Sequence, residues 1–309
     1  MEIGETVAMD MERALACPME HVRPATVASQ PAKKVKDVDL LKANLAAGNS
    51  TILVDVDGSG ELVDAGLRPL VPADPSPEAA VVAKHGPLPI RIGELDLPVS
   101  VAAHHLIPGK DGLPESQLKR YVWKSEGTIS SDIGYHIDGS ENGVWLPTHG
   151  KLSQRMGKAK KILVPSAGDP TKLVHRSYRF MSKLEEDGGV SFVSAYTQLS
   201  MKLFERQYHD SHKEYSNKVV EMLDSISLWL DKASGDACDQ CKKSKSPDGK
   251  FPPPHFLIFR LNALSARLRG WLLGPPTAWT SGLFTSDYSK QYRLIEEEYQ
   301  RHLASTSAR

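Results

Sequence analysis

One stretch constrains this chain more than any other: an apolar run that ends in two adjacent histidines. Apolar residues at positions 97, 99 and 101 alternate with the period of a β-strand, and His104 and His105 follow them. Because neighbouring side chains on a strand point to opposite faces, the two imidazoles should have different tasks. We predict that one histidine holds a metal ion while the other faces a substrate. The alternative is a solvated pair at the end of a strand.

The composition excludes several classes of protein. Basic and acidic residues number 38 each, so the formal net charge is zero. A protein that coats nucleic acid non-specifically is usually basic, so any phosphate contact here must come from a local patch or a metal ion. Three cysteines are too few for a disulfide scaffold and favour a reducing compartment. We expect neither a secretory signal peptide nor the roughly 18 apolar residues of a membrane span.

The pattern along the chain predicts an α+β protein in three parts. Residues 1–80 form an N-terminal segment, which begins rich in alanine and proline and to which we assign loading or delivery. Residues 81–235 hold the central module, interrupted by an insertion over about 151–207. Residues 236–309 form a C-terminal helical extension.

Hydrophobic periodicity predicts the elements around the histidines. A hairpin of Ile90–Ile92 and Leu95–Ala103 should carry the two histidines where the chain leaves it. Helices are expected over 38–47, 114–123, 171–186, 193–207 and about 256–273. Ser211 and Glu214 have the spacing of a capping box. The apolar residues that follow recur at steps of four and three, which predicts a helix with one buried face: Tyr215, Val219, Met222, Ile226 and Leu230.

Three motifs stand in order along the chain. They are Ala-His-His at 103–105, Asn-Gly-Val-Trp-Leu-Pro at 142–147 and His-x-x-His-x-x-Tyr at 209–215. As an ordered set they resemble the AHH nuclease family, a branch of the HNH (ββα-metal) endonucleases common among bacterial polymorphic toxins. The resemblance runs from about residue 95 to 230, under half of the chain. It implies that the central module is a treble-clef-type ββα-metal nuclease.

The resemblance also implies a role for each motif. His104 would be a metal ligand and His105 the general base, oriented by Asn142. His212 and His209 would complete the site of one divalent ion, Mg²⁺ or Zn²⁺, which stabilises the phosphate and the leaving group. The residue types suit this chemistry, because a histidine can exchange a proton with water near neutral pH.

Alternatives stay open at several of these positions. The alternative for Asn142 is a structural turn residue before Gly143, and the short spacing of His209 and His212 leaves open whether both bind metal. The insertion must also pack away from the site for Asn142 and His212 to meet.

Other candidates are weaker. Cys238-x-x-Cys241 is half of a zinc site at most, with His255 as a convenient third ligand, and we expect His136 and His149 to be exposed loop histidines. A basic run without acidic residues fits contacts with a phosphate backbone, although such runs are usually only solvated. Its members are Lys151, Arg155, Lys158, Lys160 and Lys161.

The function implied by the resemblance is a secreted antibacterial DNase. It would be made in the bacterial cytoplasm, exported without a signal peptide by a type VI or related secretion system, and active in the cytoplasm of a target cell. Its partners would be DNA, a cognate immunity protein and a secretion component or chaperone. An RNase on the same scaffold and a non-enzymatic, metal-stabilised adaptor are the alternatives.

Overall fold

A computed structural model describes residues 37–48, 74–159, 181, 190–210, 212–235, 243, 245–254, 256–280 and 282–307. Within these ranges, helices combine with two small two-stranded sheets, which confirms the predicted α+β class. The helices are α1 Val38–Ala47, α2 Glu78–His85, α3 Gly150–Ala159, α4 Val190–Phe204, α5 Lys213–Gly235, α6 Leu257–Leu272 and α7 Asp287–Ser307. The strands are β1 Ile90–Ile92, β2 Leu95–Leu97, β3 Ser100–His105 and β4 Gly143–Thr148.

The chain divides into two compact units that alternate along the sequence. The first unit comprises Met1–Pro75, His105–Val144 and Ser216–Arg269. The second unit comprises Ser76–His104, Trp145–Tyr215 and Gly270–Arg309. The predicted boundaries at residues 80 and 235 stay a prediction.

Helix α1 of the first unit begins and ends where the sequence predicts. The Asp37 carboxylate caps it by accepting hydrogen bonds from two amides of the first turn, both at 3.1 Å. Gly48 ends it in the left-handed region with φ +70°, a conformation that glycine adopts without strain. Leu41 and Leu45 are fully buried, so the helix packs through one face.

The buried stripe predicted for α5 is confirmed. Each of its five apolar side chains is at most 2% exposed, whereas Leu228 on another face is 68% exposed. A helix with one apolar face gains most of its stability by packing that face against a core. The buried members are Tyr215, Val219, Met222, Ile226 and Leu230.

The hairpin of the second unit is present but ends earlier than predicted. β1 and β2 pair antiparallel, with Ile90 opposite Leu97. The single strand expected from Leu95 to Ala103 is wrong, because the chain leaves the hairpin at Pro98 and then starts β3. Proline has no amide hydrogen for a sheet ladder, which accounts for the break.

Strand β3 pairs with β4 and carries both histidines at its end. Near one end of the pair the Leu106 amide donates to the Asn142 carbonyl at 2.8 Å. At the other end the Ser100 hydroxyl donates to the Thr148 carbonyl at 3.0 Å. The two strands therefore run in opposite directions.

The other predicted helices have mixed outcomes. The helix expected over 114–123 is a single 3₁₀ segment, Gln117–Tyr121. Helices α4 and α6 confirm the predictions over 193–207 and about 256–273, although α4 starts three residues earlier and ends at Phe204, and α6 ends at Leu272.

Several predictions fall outside the described residues. These are residues 1–36 and 49–73 of the N-terminal segment, most of the helix over 171–186, the Ser211 cap, the Cys238–Cys241 pair with His255, and Lys160 and Lys161. A search of the described helices finds none with the length and apolarity needed to cross a membrane.

Candidate active site

Three histidines that are distant in the sequence meet in the second unit. One ring nitrogen from each of His104, His209 and His212 lies within 4.8 Å of the others. The ring centroid of His104 is 4.9 Å from that of His209 and 5.2 Å from that of His212. His104 is buried and the other two are half-buried. The structure therefore brings together all three of the predicted metal ligands.

Each ring of this histidine cluster is placed by its own backbone support. His104 is the penultimate residue of β3, and the His209 amide donates to the Pro147 carbonyl on β4 at 2.8 Å. His212 immediately precedes α5. Tyr215, in the first turn of α5, sets its ring 5.2 Å from that of His104. Burial raises the pKa of the Tyr215 hydroxyl, so this group stays neutral beside the imidazoles.

The donor set of the cluster fits a divalent metal ion. Imidazole nitrogens are ligands that Zn²⁺ and related transition metals prefer, whereas Mg²⁺ is bound mainly through oxygen atoms. Three protein ligands also leave a coordination position for water or a substrate, as in catalytic zinc sites. The cluster of His104, His209 and His212 is thus chemically suited to a catalytic ion.

The neighbouring histidine, His105, belongs to the first unit and has a different partner. Its Nε2 lies 2.8 Å from Oδ1 of Asp138. The His105 side chain is 7% exposed and that of Asp138 is fully buried. A carboxylate can only accept at this contact, which assigns the ring proton to Nε2 and leaves Nδ1 as the basic nitrogen.

Helix α1 and Asp37, the residue that caps it, also contact Asp138. The Asp37 amide donates to the same Oδ1 atom at 2.8 Å. The Asn44 carboxamide donates to the Asp138 carbonyl at 2.9 Å. Both the side chain and the backbone of Asp138 are therefore fixed by residues of the N-terminal segment.

Asn142 anchors the loop after His105 instead of contacting its ring. Its Oδ1 accepts from the Ile107 amide at 2.7 Å and from the Ser265 hydroxyl at 3.0 Å. Its Nδ2 donates to the carbonyls of Ile107 at 3.0 Å and Ile137 at 2.8 Å. The fully buried carboxamide thus ties the end of β3 to the segment that carries Asp138.

The turn at Asn142 is packed too tightly for a larger neighbour. A Cβ atom on Gly143 would lie 2.7 Å from a methyl carbon of Leu41 and 2.9 Å from those of Leu45. Arg269 donates to the Gly143 carbonyl and, at 3.0 Å, to that of Ser140. Helices α1 and α6 therefore brace the loop that presents Asp138 and Asn142.

The basic run is only partly described. Lys151 pairs with Glu78, and the Arg155 guanidinium donates to the Asp96 carbonyl at 2.9 Å. Both basic side chains lie on the exposed part of α3. The backbone of Lys158 continues α3, while its side chain, like Lys160 and Lys161, lies outside the described residues.

The two loop histidines are not exposed as predicted. His136 is half-buried, and its Nδ1 accepts from the Asp138 amide at 3.3 Å. His149, which stands between β4 and α3, is 3% exposed. Burial lowers the pKa of the His149 imidazole to about 4.

Comparison with known proteins agrees with this geometry. A family model described as a nuclease family of the HNH/ENDO VII superfamily with conserved AHH matches residues 91–248, just over half of the chain. The chain therefore belongs to the AHH family of nucleases. Nucleases of this superfamily use a divalent metal ion, in keeping with the histidine cluster. Neither the curated proteins nor the solved structures contain a significant match.

Sequence reasoning missed Asp138 and its supports. Asp138 stands four residues before Asn142 in a loop rich in small and polar residues, where no periodicity marks it as buried. Asp37 and Asn44 lie about a hundred residues away, in a segment with no motif. The available signal was a carboxylate four residues before Asn142, the residue predicted to orient the base.

Proposed function

We propose that this nuclease hydrolyses phosphodiester bonds of DNA, with a divalent ion held by His104, His209 and His212 and with His105 as the general base. The observation that carries the proposal is the convergence of the three imidazoles, with ligand atoms within 4.8 Å of one another. One peptide bond keeps His105 beside His104, and neighbouring strand residues alternate in direction. We propose that these adjacent residues divide the work, with His104 holding the ion and His105 acting on the attacking water.

The bound ion would supply Lewis-acid stabilisation of the phosphate charge and of the leaving oxygen. Because all three protein ligands are imidazoles, we propose Zn²⁺ or a similar transition metal rather than Mg²⁺. His104 is the buried ligand and the other two are more accessible. We therefore propose that the phosphate approaches from the side of His209 and His212.

His105 would accept the proton of the attacking water at Nδ1. Its Nε2 is engaged by Asp138 at 2.8 Å, which supports this choice of tautomer. The water oxygen then forms the new bond to phosphorus as the bond to the leaving oxygen breaks. Asp138 orients the ring and stabilises the imidazolium ion that results. Asn142 would act indirectly, by holding the backbone of Ile107 two residues after His105.

We also propose that β3, β4 and the start of α5 form the ββα-metal element of this chain. Two observations support this assignment: β3 pairs with β4, and the ligands His104 and His212 stand at the end of β3 and immediately before α5. The exposed residues Lys151 and Arg155 on α3 are candidates for contacts with the DNA backbone, with the more distal lysines of the run.

Plasmid cleavage tests the proposal directly. Wild-type protein should convert supercoiled plasmid to nicked or linear DNA in the presence of Zn²⁺ or Mn²⁺. Chelation of the metal should stop this cleavage while the protein stays folded. His105→Ala should be inactive yet bind metal normally, whereas His104→Ala should lose metal and activity together. Cleavage by His105→Ala at the wild-type rate would remove the general-base assignment. A parallel digest of total RNA decides between DNA and RNA.

The biological setting is a proposal that rests on the family. We propose an antibacterial effector, exported by a contact-dependent system and neutralised by a cognate immunity protein. Expression in the cytoplasm of a bacterial host should be toxic for the wild type and harmless for His105→Ala. Equal toxicity of the two proteins would separate any toxic role from nuclease chemistry.

A further inference from the structure

The short segment that carries His209 is held at every backbone position. The amide of Gln207 donates to the Leu272 carbonyl at 3.0 Å, and the amide of Tyr208 donates to the Ser289 hydroxyl at 2.8 Å. The amide of His209 reaches β4, as described above, and the amide of Asp210 donates to the Thr285 carbonyl at 3.3 Å. Three of these four contacts come from the C-terminal part of the second unit.

A pair of buried side chains, Thr285 and Gln207, forms the centre of this support. The Thr285 hydroxyl contacts the Tyr208 carbonyl at 2.8 Å and Oε1 of Gln207 at 3.3 Å. The Gln207 carboxamide in turn accepts from the Thr285 amide at 3.0 Å and donates to the Leu283 carbonyl at 3.0 Å. Both side chains are fully buried.

The start of α7 contributes a second hydroxyl. Ser289 accepts from the Tyr208 amide and is itself in hydrogen-bond contact with Ser286 at 3.0 Å. Ser289 is fully buried and Ser286 is 3% exposed. Water therefore offers no substitute partner for the Tyr208 backbone if these hydroxyls are removed.

The supports from the C-terminal part, which include Thr285 and Ser289, lie beyond the region that matches the family model, because that region ends at residue 248. We propose that Thr285 and Ser289 are positioning residues for the metal centre. They would fix the backbone next to His209 and so orient its imidazole toward the ion. This inference rests on the proposed metal role of the histidine cluster. It gives the C-terminal segment a task in the nuclease itself, not only in packing.

The physical reason is that a ligand must be held in place to bind with full strength. Groups that orient metal ligands typically change metal affinity by about 10- to 100-fold when they are removed. Loss of the Thr285 hydroxyl would remove the 2.8 Å hydrogen bond to the Tyr208 carbonyl, one residue from the ligand, and leave that carbonyl the longer contact with Ser289 Oγ at 3.4 Å. We therefore expect Thr285→Val to weaken Zn²⁺ binding about tenfold, and Thr285→Ser, which keeps the hydroxyl, to bind as the wild type does.

A matched control is available in the same unit. Thr197 is also buried, but its hydroxyl donates within α4, to the Ser194 carbonyl at 3.0 Å. Thr197→Val should therefore lower thermal stability about as much as Thr285→Val and leave Zn²⁺ affinity unchanged. Calorimetric titration of the full chain with Zn²⁺, together with the visible absorbance of bound Co²⁺, measures affinity and ligand geometry without any nuclease assay.

The outcomes separate this inference from the metal site itself. If His104→Ala binds Zn²⁺ as tightly as the wild type, the proposed metal site is wrong. If His104→Ala loses Zn²⁺ but Thr285→Val binds normally, only the positioning role is overturned. Should Thr285→Val fail to fold, Ser289→Ala takes its place, with a severalfold loss of affinity expected and wild-type affinity counting against the inference. Equal loss in Thr197→Val would also overturn it.

Discussion

The buried imidazole of His149 should make the stability of this protein fall steeply in mild acid. Burial disfavours the charged form and lowers the pKa of His149 to about 4, against 6.5 for an exposed histidine. The unfolded chain therefore binds a proton at this position before the folded chain does. Its contribution to stability is fully present above pH 6.5 and is lost as the pH falls toward 4.

The size of the effect follows from the two pKa values. The free energy of unfolding should fall by about 2 kcal/mol between pH 7 and pH 5, and by about 3 kcal/mol by pH 4. Urea unfolding at each pH, with a chelator present, measures this loss in the wild type and in His149→Gln. The variant cannot gain a proton there, so its stability should depend on pH correspondingly less.

The difference between the two proteins isolates His149, because every other titrating group is shared. NMR titration of the His149 ring supplies an independent check on the same pKa. Equal pH dependence in wild type and variant, or a ring that titrates near 6.5, would refute the argument that this side chain is desolvated.

Three further perturbations test the catalytic part of the molecule. Asp138→Asn should lower kcat at least about tenfold with unchanged Zn²⁺ affinity, because the carboxylate orients His105; an unchanged kcat would argue against the pair. Asn44→Ala removes one hydrogen bond to the Asp138 backbone and should lower kcat by at most about fivefold, while Lys42→Ala on the exposed side of α1 should have no effect. Gly143→Ala should lower the free energy of unfolding by about 1–3 kcal/mol in denaturant titration, because its Cβ would overlap Leu41. An unchanged free energy of unfolding would show that α1 shifts to accommodate the added methyl group at little cost.

The site has supports on both sides of the region that matches the family. Before it, α1 fixes Asp138 through Asp37 and Asn44. After it, Thr285 and Ser289 fix the backbone next to His209. A fragment limited to residues 91–248 would lack both sets of contacts. We therefore expect the flanking segments to be required for full activity.

The sequence by itself determined the parts of this protein that local chemistry controls. Helix α1 ends at Gly48 because glycine accepts the left-handed conformation there, and the stripe of α5 is readable because burial repeats with the helical period. The histidines are recognisable because few residue types bind metal or exchange protons near neutral pH. Family membership follows from the order of the three motifs.

Only the tertiary structure decided which of these groups meet and which carboxylate contacts His105. Asp138 faces His105 because the β3–β4 pairing and Asn142 bring their loops together, a contact that no spacing in the sequence encodes. Burial of His149 and the support of His209 by Thr285 likewise depend on packing between distant segments. Such contacts depend on the sum of many weak interactions between distant segments. No local pattern in the sequence predicts them.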